Sequence, residues 1–346
     1  MRLQVMARLA ISFALGWLLA GGTATAHDEA VVAAAKAEGQ VAVYGCDPLQ
    51  TPIYIEQFKK LYPDIKVTSY LAGCWQIYNR HVSERSAGRQ VADVFFSIDD
   101  AMSKAQAEKL LQPYRSPELG NFPKVAVPEG KDYVLAKILI FGITSNRDFV
   151  KGISLPKDWI DFATPQLAWK GLISYYDPRT SSAAFSLLAA LHQNLGPDKT
   201  ASIYEGLVAS GAALAPTTPA GLSKLLSGEQ PIMFYSVNNH FGGAVAKGAP
   251  LDFTLPTSGT VAINFAIAPL AGAPHPAAAK LFIDFMLNEA QGTIADANEY
   301  ALKIGSKPPS GLPPLDKIKL LPLDVEKALA QQKDLIDWWQ NVTGVR

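Results

Sequence analysis

"QVAVYGCDPLQTPIYIEQFKKLYPDIKVTSYLAGC", residues 40–74, sets two apolar runs rich in β-branched residues on either side of a helix-length segment. Each run reads as a strand that ends at a cysteine, and Pro52 and Pro63 bracket the helix between them. Such a strand–helix–strand unit places its strands parallel and commonly side by side. Cys46 and Cys74 then stand at the carboxyl ends of adjacent strands, within bridging reach, and a disulfide is the expectation; free thiols and soft-metal ligation are the alternatives. A bridge closing a loop of this length is worth about 3 kcal/mol in the chain-entropy account.

The alternation continues outward. "ADVFFSI" is a third strand, and "DDAMSKAQAEKLL" is a helix whose acidic first turn complements its dipole. "YVLAKILIFGITSN" is one long apolar strand. "WKGLISYYD" feeds the helix "SAAFSLLAALHQNLG", which Gly196 and Pro197 stop. "TTPAGLSKLLSGEQ" is a short helix, "PIMFYS" and "TVAINFAIA" are strands, and "PHPAAAKLFIDFMLNEAQGTIADA" is a helix pair. The chain is therefore α/β throughout, with helices covering both faces of two mixed sheets.

At the N-terminus, Arg2 and Arg8 precede the apolar run Leu9–Leu19, and Ala24-x-Ala26 follows. This is the pattern of an export signal over residues 1–26, too short to anchor in a bilayer, with an exported mature chain expected to start at His27. Acidic and basic side chains balance at 31 each, and cleavage removes only Arg2 and Arg8, so nothing favours nucleic acid as a partner. About 320 remaining residues exceed one ordinary core and suit two lobes.

In open α/β sheets ligands lie beyond the carboxyl ends of strands. "GCDPLQ", "AGCWQ", "FSIDD", "YYDPRTSS", "APTTPAG" and "YSVNNH" fall there. In the fourth, Ser181 and Ser182 open a helix with free N–H groups in its first turn, and Arg179 and Thr180 stand beside them: an anion cradle, or a self-capped turn with Arg179 on a neighbouring acid. Tyr44, Trp75 and Tyr235 near the same ends offer rings for stacking, or lobe packing. Cys46 and Cys74 narrow that side, and Ser97, Asn238 and Asn239 complete the expected shell.

In order, "VAVYGC", "FKKLYPDIKV", "SAGRQVADVFFS", "LLQPYRSPE", "DPRTSSAAFSLLAAL", "GEQPIMFYSVNN", "KGAPLDFTLPTSGT" and "PHPAAAKLFIDFMLNEAQG" resemble the periplasmic solute-binding proteins of ABC importers. The resembling group (the family 1-like extracellular solute-binding proteins) includes ferric-ion-binding and sugar-phosphate or phosphonate-binding members. The resemblance implies a two-lobed periplasmic binding protein fold with a ligand cleft between the lobes and a hinge closure. Lobe 1 is expected over 27–135 plus 262–302 and lobe 2 over 136–261 plus 303–346, joined through "YVLAKILIFGITSN" and "FTLPTSGTVAINFAI". It also implies an ABC permease as partner, a monomeric chain, no cofactor and no catalysis. The expected solute is a small organic anion: a carboxylate, phosphonate or sugar phosphate.

Two alternatives compete. The first is ferric or other metal binding, but "VNNHF" puts His240 and Phe241 where the ferric proteins carry paired tyrosines. Phenylalanine cannot ligate iron, and Tyr175 and Tyr176 point to opposite faces of one strand. His81 reads as a solvated helix residue, His192 as packed or half-exposed, and His275 as structural. The second is a periplasmic hydrolase, for which there is no G-x-S-x-G elbow or assignable triad. Asp99 and Asp100 read as helix-start caps rather than paired acids for catalysis.

Overall fold

The computed structural model describes residues 29–216 and 218–346, so the leader and its cleavage point lie outside the described residues. Its strands are β1 (Gln40–Gly45), β2 (Lys66–Leu71), β3 (Val94–Ile98), β4 (Val134–Asn146), β5 (Ile173–Tyr176), β6 (Ala213–Ala215), β7 (Ile232–Val237), β8 (Leu251–Thr254), β9 (Ala262–Pro269) and β10 (Tyr300–Ala301). The helices are α1 (Glu29–Glu38), α2 (Thr51–Leu61), α3 (Cys74–Ser86), α4 (Asp99–Ala107), α5 (Ser182–Leu195), α6 (Pro197–Ala209), α7 (Thr218–Ser227), α8 (Asn238–Val245), α9 (Pro276–Leu287), α10 (Ala290–Asp296), α11 (Val325–Ala330) and α12 (Gln332–Thr343). Among the described residues no helix is long and apolar enough to cross a membrane.

The opening unit folds as its pattern predicts. β1 pairs in parallel with β2, from Gln40 opposite Lys66 to Gly45 opposite Leu71. β1 is buried along nearly its whole length because helices cover both of its faces, whereas β2 is the sheet edge and stays partly wet. Between them α2 buries Thr51, Tyr54, Ile55 and Phe58, one stripe of a 3.6-residue period. Cys46 and Cys74 are bonded, with Cα atoms 4.6 Å apart. The bridge ties the end of β1 to the first turn of α3.

That helix corrects one reading. α3 packs on the sheet through Cys74, Ile77, Tyr78, His81 and Glu84, so His81 falls on the inward stripe and is buried rather than solvated. Burial, reinforced by the Arg85 charge, holds its imidazole below the ordinary histidine range.

The strands run in the order β2-β1-β3-β9-β4-β7-β5-β6, with β8 and β10 also bonded to β4. The two expected sheets are joined in one hydrogen-bonded path because β4 belongs to both. All 13 residues of β4 are buried. Its first part pairs antiparallel with β9, from Val134 opposite Ile267 to Ile140 opposite Ala262. Its second part pairs with β7 and with β8, Ile143 opposite Thr254 to Asn146 opposite Leu251. At ~3.3 Å per residue such a strand is ~40 Å long, enough to run from one half of the molecule to the other. β8 and β9 make the return. The C-terminal segment touches both halves: α12 packs on α6, α11 packs on α4, and Lys131 reaches Glu326 at 3.1 Å.

Candidate functional site

The β4–β9 pair is a floor with two faces, because neighbouring residues of a strand point oppositely. Lys137 and Phe265 face one way; their neighbours Ile138 and Asn264 face the other.

On the first face lies a buried ionic cluster. Lys137 Nζ is 2.6 Å from Asp47 Oδ2, and 2.8 and 2.7 Å from the two Glu299 oxygens. The Tyr54 hydroxyl donates to Glu299 Oε2 at 2.6 Å, and Asn239 Nδ2 donates to Glu299 Oε1 at 2.8 Å. Burial works against the Lys137 ammonium, but the charges of Asp47 and Glu299 outweigh it and raise its pKa. For Glu299 burial wins over the attraction of Lys137, so its carboxyl is also raised. His240 sits nearby, and burial keeps its imidazole neutral to lower pH than usual. Asn238 adds a clamp across the elements: Ile140 N donates to its Oδ1 at 2.8 Å, and its Nδ2 donates to the Asn298 carbonyl.

Over the second face is a cavity of about 480 Å³, within the ~300–1,000 Å³ range of small-molecule sites. Ile138, Ala262 and Asn264 form its floor, with the backbone of Ile263 running between them. Asp99 and Asp100, at the start of α4, form one wall, Ser186 of α5 stands on another side, and the segment around Leu320–Leu323 closes it. The Asp99 carboxylate is occupied, accepting from the Tyr133 hydroxyl and, at 3.4 Å, from Asn264 Nδ2. Asp100 is only 7% exposed. Burial, with the Asp99 charge beside it, pushes its carboxyl up to about 7.

None of the site residues expected from sequence lines this cavity. Tyr44 donates its hydroxyl to Glu84 at 2.7 Å and packs beneath Arg80, facing α3. Trp75 is half-buried edge-on against Tyr78. Ser97 is fully buried, its hydroxyl 3.5 Å from Cys46 Sγ at the bridge. Tyr235 is packed between Phe141 and Tyr176, and burial pushes its phenol well above the usual range. Asn238 and Asn239 serve the clamp and the ionic cluster.

The "YYDPRTSSAAF" turn is largely satisfied by its own residues. Asp177 accepts from Arg179 N at 2.8 Å and takes the guanidinium in a fork, Nη2–Oδ2 at 2.7 Å and Nε–Oδ1 at 3.0 Å. Of the two readings of Arg179, a cation for a ligand or the partner of a neighbouring acid, the structure has the second, with Trp339 of α12 beneath the guanidinium. Thr180 Oγ1 donates to the Asp177 carbonyl, and Ser181 caps α5 by accepting from Ala184 N at 3.2 Å. The Ser182 carbonyl takes the Ser186 hydroxyl at 3.0 Å, one turn along and beside the cavity.

Residues 89–328 match the family described as bacterial extracellular solute-binding proteins. A Haemophilus influenzae protein described only as uncharacterized is 28% identical over 330 residues, covering 90% of this chain and 92% of its own length. Among solved structures, the periplasmic binding protein AfuA of Actinobacillus pleuropneumoniae, with exogenous fructose-6-phosphate bound, has a TM-score of 0.77 at 24% identity over 89% of this chain and 99% of that one. Iron-bound HitA of Pseudomonas aeruginosa has 0.74 at 19% identity over 86% and 99%. The periplasmic binding protein P5PA has 0.74 at 21% identity over 88% and 99%. At these identities the likeness is one of fold, and it leaves the solute open. With the match over residues 89–328 and this shared architecture, the chain belongs to the bacterial extracellular solute-binding proteins, the binding components of ABC importers.

Proposed function

We propose that the chain captures one small solute in the cavity over the β4–β9 crossing and passes it unchanged to a membrane permease. It would act as an exported monomer in the periplasm, after loss of residues 1–26. The two lobes would be 27–135 plus 262–302 and 136–261 plus 303–346, turning about β4 and the β8–β9 return. The observation that carries this reading is the composition of the cavity. Its floor is made of the crossing strands, while α4 and α5 stand on strands from opposite ends of β4, so a hinge motion would open and close it.

The expectation of an organic anion drew on Arg179 and on the N–H groups that open α5; Asp177 holds that charge, and Ser181 accepts from one of those N–H groups, that of Ala184. Among the described residues no group of three or more His, Cys, Asp or Glu could hold an ion, so none of these side chains favours a metal as solute. The test is a thermal-shift screen of ligand-free protein followed by calorimetry, because a ligand of the native state alone raises stability by mass action. A solute recovered chemically intact after saturation supports capture; its turnover by the purified protein would overturn it.

A further inference from the structure

We infer that this cavity selects an amphipathic organic cation, a protonated amine or amidine on a compact apolar body, with Asp100 as its counter-charge. The inference rests on the reading of the cavity as the solute site. Among the described residues every charged side chain that lines the cavity is an aspartate: Asp99, Asp100 and Asp316, the last at the exposed rim. No lysine, arginine or histidine among the described residues lines it. Lys124 stands only in the adjoining depression, which shares Asp99, Val125 and Asn264 with the cavity, and Glu129 stands there too.

The second observation is the state of Asp100 itself. Asp99 is already bound by Tyr133 and Asn264, but the Asp100 carboxylate receives only its own backbone N–H among the described residues. At nine-tenths burial, and with no side-chain donor bonded to it among the described residues, the ionised form of this group is costly, which is what holds its carboxyl up. A ligand ammonium or amidinium would supply the missing charge-assisted hydrogen bonds. Apart from Ser186 and Asn264, the rest of the wall, with Ile98, Val125, Ile138, Leu321 and Leu323, is largely apolar, which suits a carbon skeleton rather than a polyol. A sugar phosphate would instead bring negative charge against three carboxylates with no cation to offset it. The three aspartates do not come together as a group that could hold a metal ion.

The experiment uses ligand-free full-length mature protein and three probes of one shape: 2-phenylethylamine, 2-phenylethanol and 3-phenylpropanoate, with fructose 6-phosphate as a fourth. Calorimetry should show the amine binding at least ~10-fold more tightly than the alcohol, with the two anions weakest. Asp100→Asn should cut the amine's advantage over the alcohol by ~10-fold or more and leave the alcohol within about twofold. Preference for either anion, an amine advantage indifferent to Asp100→Asn, or no binding by any probe would overturn the inference. Val125→Trp separates this from the underlying reading, because Val125 is exposed at the cavity edge and its replacement blocks the space without disturbing the core. An anion whose binding Val125→Trp abolishes would refute the cation and keep the cavity. Binding untouched by Val125→Trp would refute the cavity.

Discussion

Arg179 and Lys137 carry the same charge in opposite settings, and their substitutions should diverge accordingly. Arg179 is 29% exposed in its side chain and leans on a carboxylate two residues away, so water compensates much of its loss. Arg179→Ala should leave solute affinity within about twofold, and cost at most ~1 kcal/mol of stability, read by calorimetry and urea denaturation. Lys137 is fully buried between Asp47 and Glu299. Lys137→Met leaves two buried carboxylates facing each other, and should destabilise the protein by about 3–5 kcal/mol. Lys137→Met combined with Glu299→Gln should recover part of that loss; no recovery would mean that packing, not charge, is what Lys137 supplies. The sequence leaves Arg179 between a ligand turn and a pairing with a neighbouring acid, and gives no sign of the Lys137 setting. Arg179 stands in a polar run that looks like a ligand turn, and Lys137 stands in an apolar run that looks like plain core. What decides is which residues tertiary folding brings alongside, for Glu299 lies 162 positions away from Lys137.

At the scale of elements the pattern is far more legible, because periodicity and end signals are local. The strand–helix–strand opening, the bonded cysteines and the long crossing strand all follow from runs of neighbouring residues. So does the stop at Gly196, which takes φ of 86° at the end of α5, with Pro197 opening α6. Asp99 and Asp100 were legible as the start of a helix, in a segment set among the strand ends where ligands lie, and they both open α4 and wall a cavity; what the sequence did not show is that they, and not the other strand-end residues, line it. Helix contacts that need the absence of a side chain are equally hidden. α6 lies on the 3₁₀ turn Trp159–Ala163, and a Cβ on Gly206 would stand 1.9 Å from the Phe162 carbonyl oxygen. That neighbour is backbone and cannot rotate away. Gly206→Ala, although it favours the helix by itself, should therefore lower stability by about 1–3 kcal/mol through overpacking. A thermal melt with an unchanged or higher midpoint would show that α6 shifts freely off the turn.

For the whole molecule, balanced charge leaves little net field to vary between pH 5 and 8, so stability there is governed by particular buried groups. Asp100 is the clearest. Its folded carboxyl lies at about 7, well above the unfolded value, so the folded state binds its proton more tightly than the unfolded chain does. Its favourable contribution is complete below about pH 4 and is lost as pH rises through about 7, with a ceiling near ~4 kcal/mol. Glu299, also raised, acts in the same direction. His81, His192 and His240 act in the other: burial lowers each, so the unfolded chain takes up their protons first and stability falls as pH drops below about 6.5. The sum is blurred, but the difference between wild type and Asp100→Asn isolates one group. Urea denaturation across pH 4–8 should find the difference small and flat near pH 4, then moving steadily in favour of Asp100→Asn until it levels above about pH 7. A difference that does not change with pH would show that Asp100 ionises in the folded protein as it does in the unfolded chain. A bound organic cation should reverse the trend for wild type alone, since the carboxylate it pairs with is then needed in its charged form.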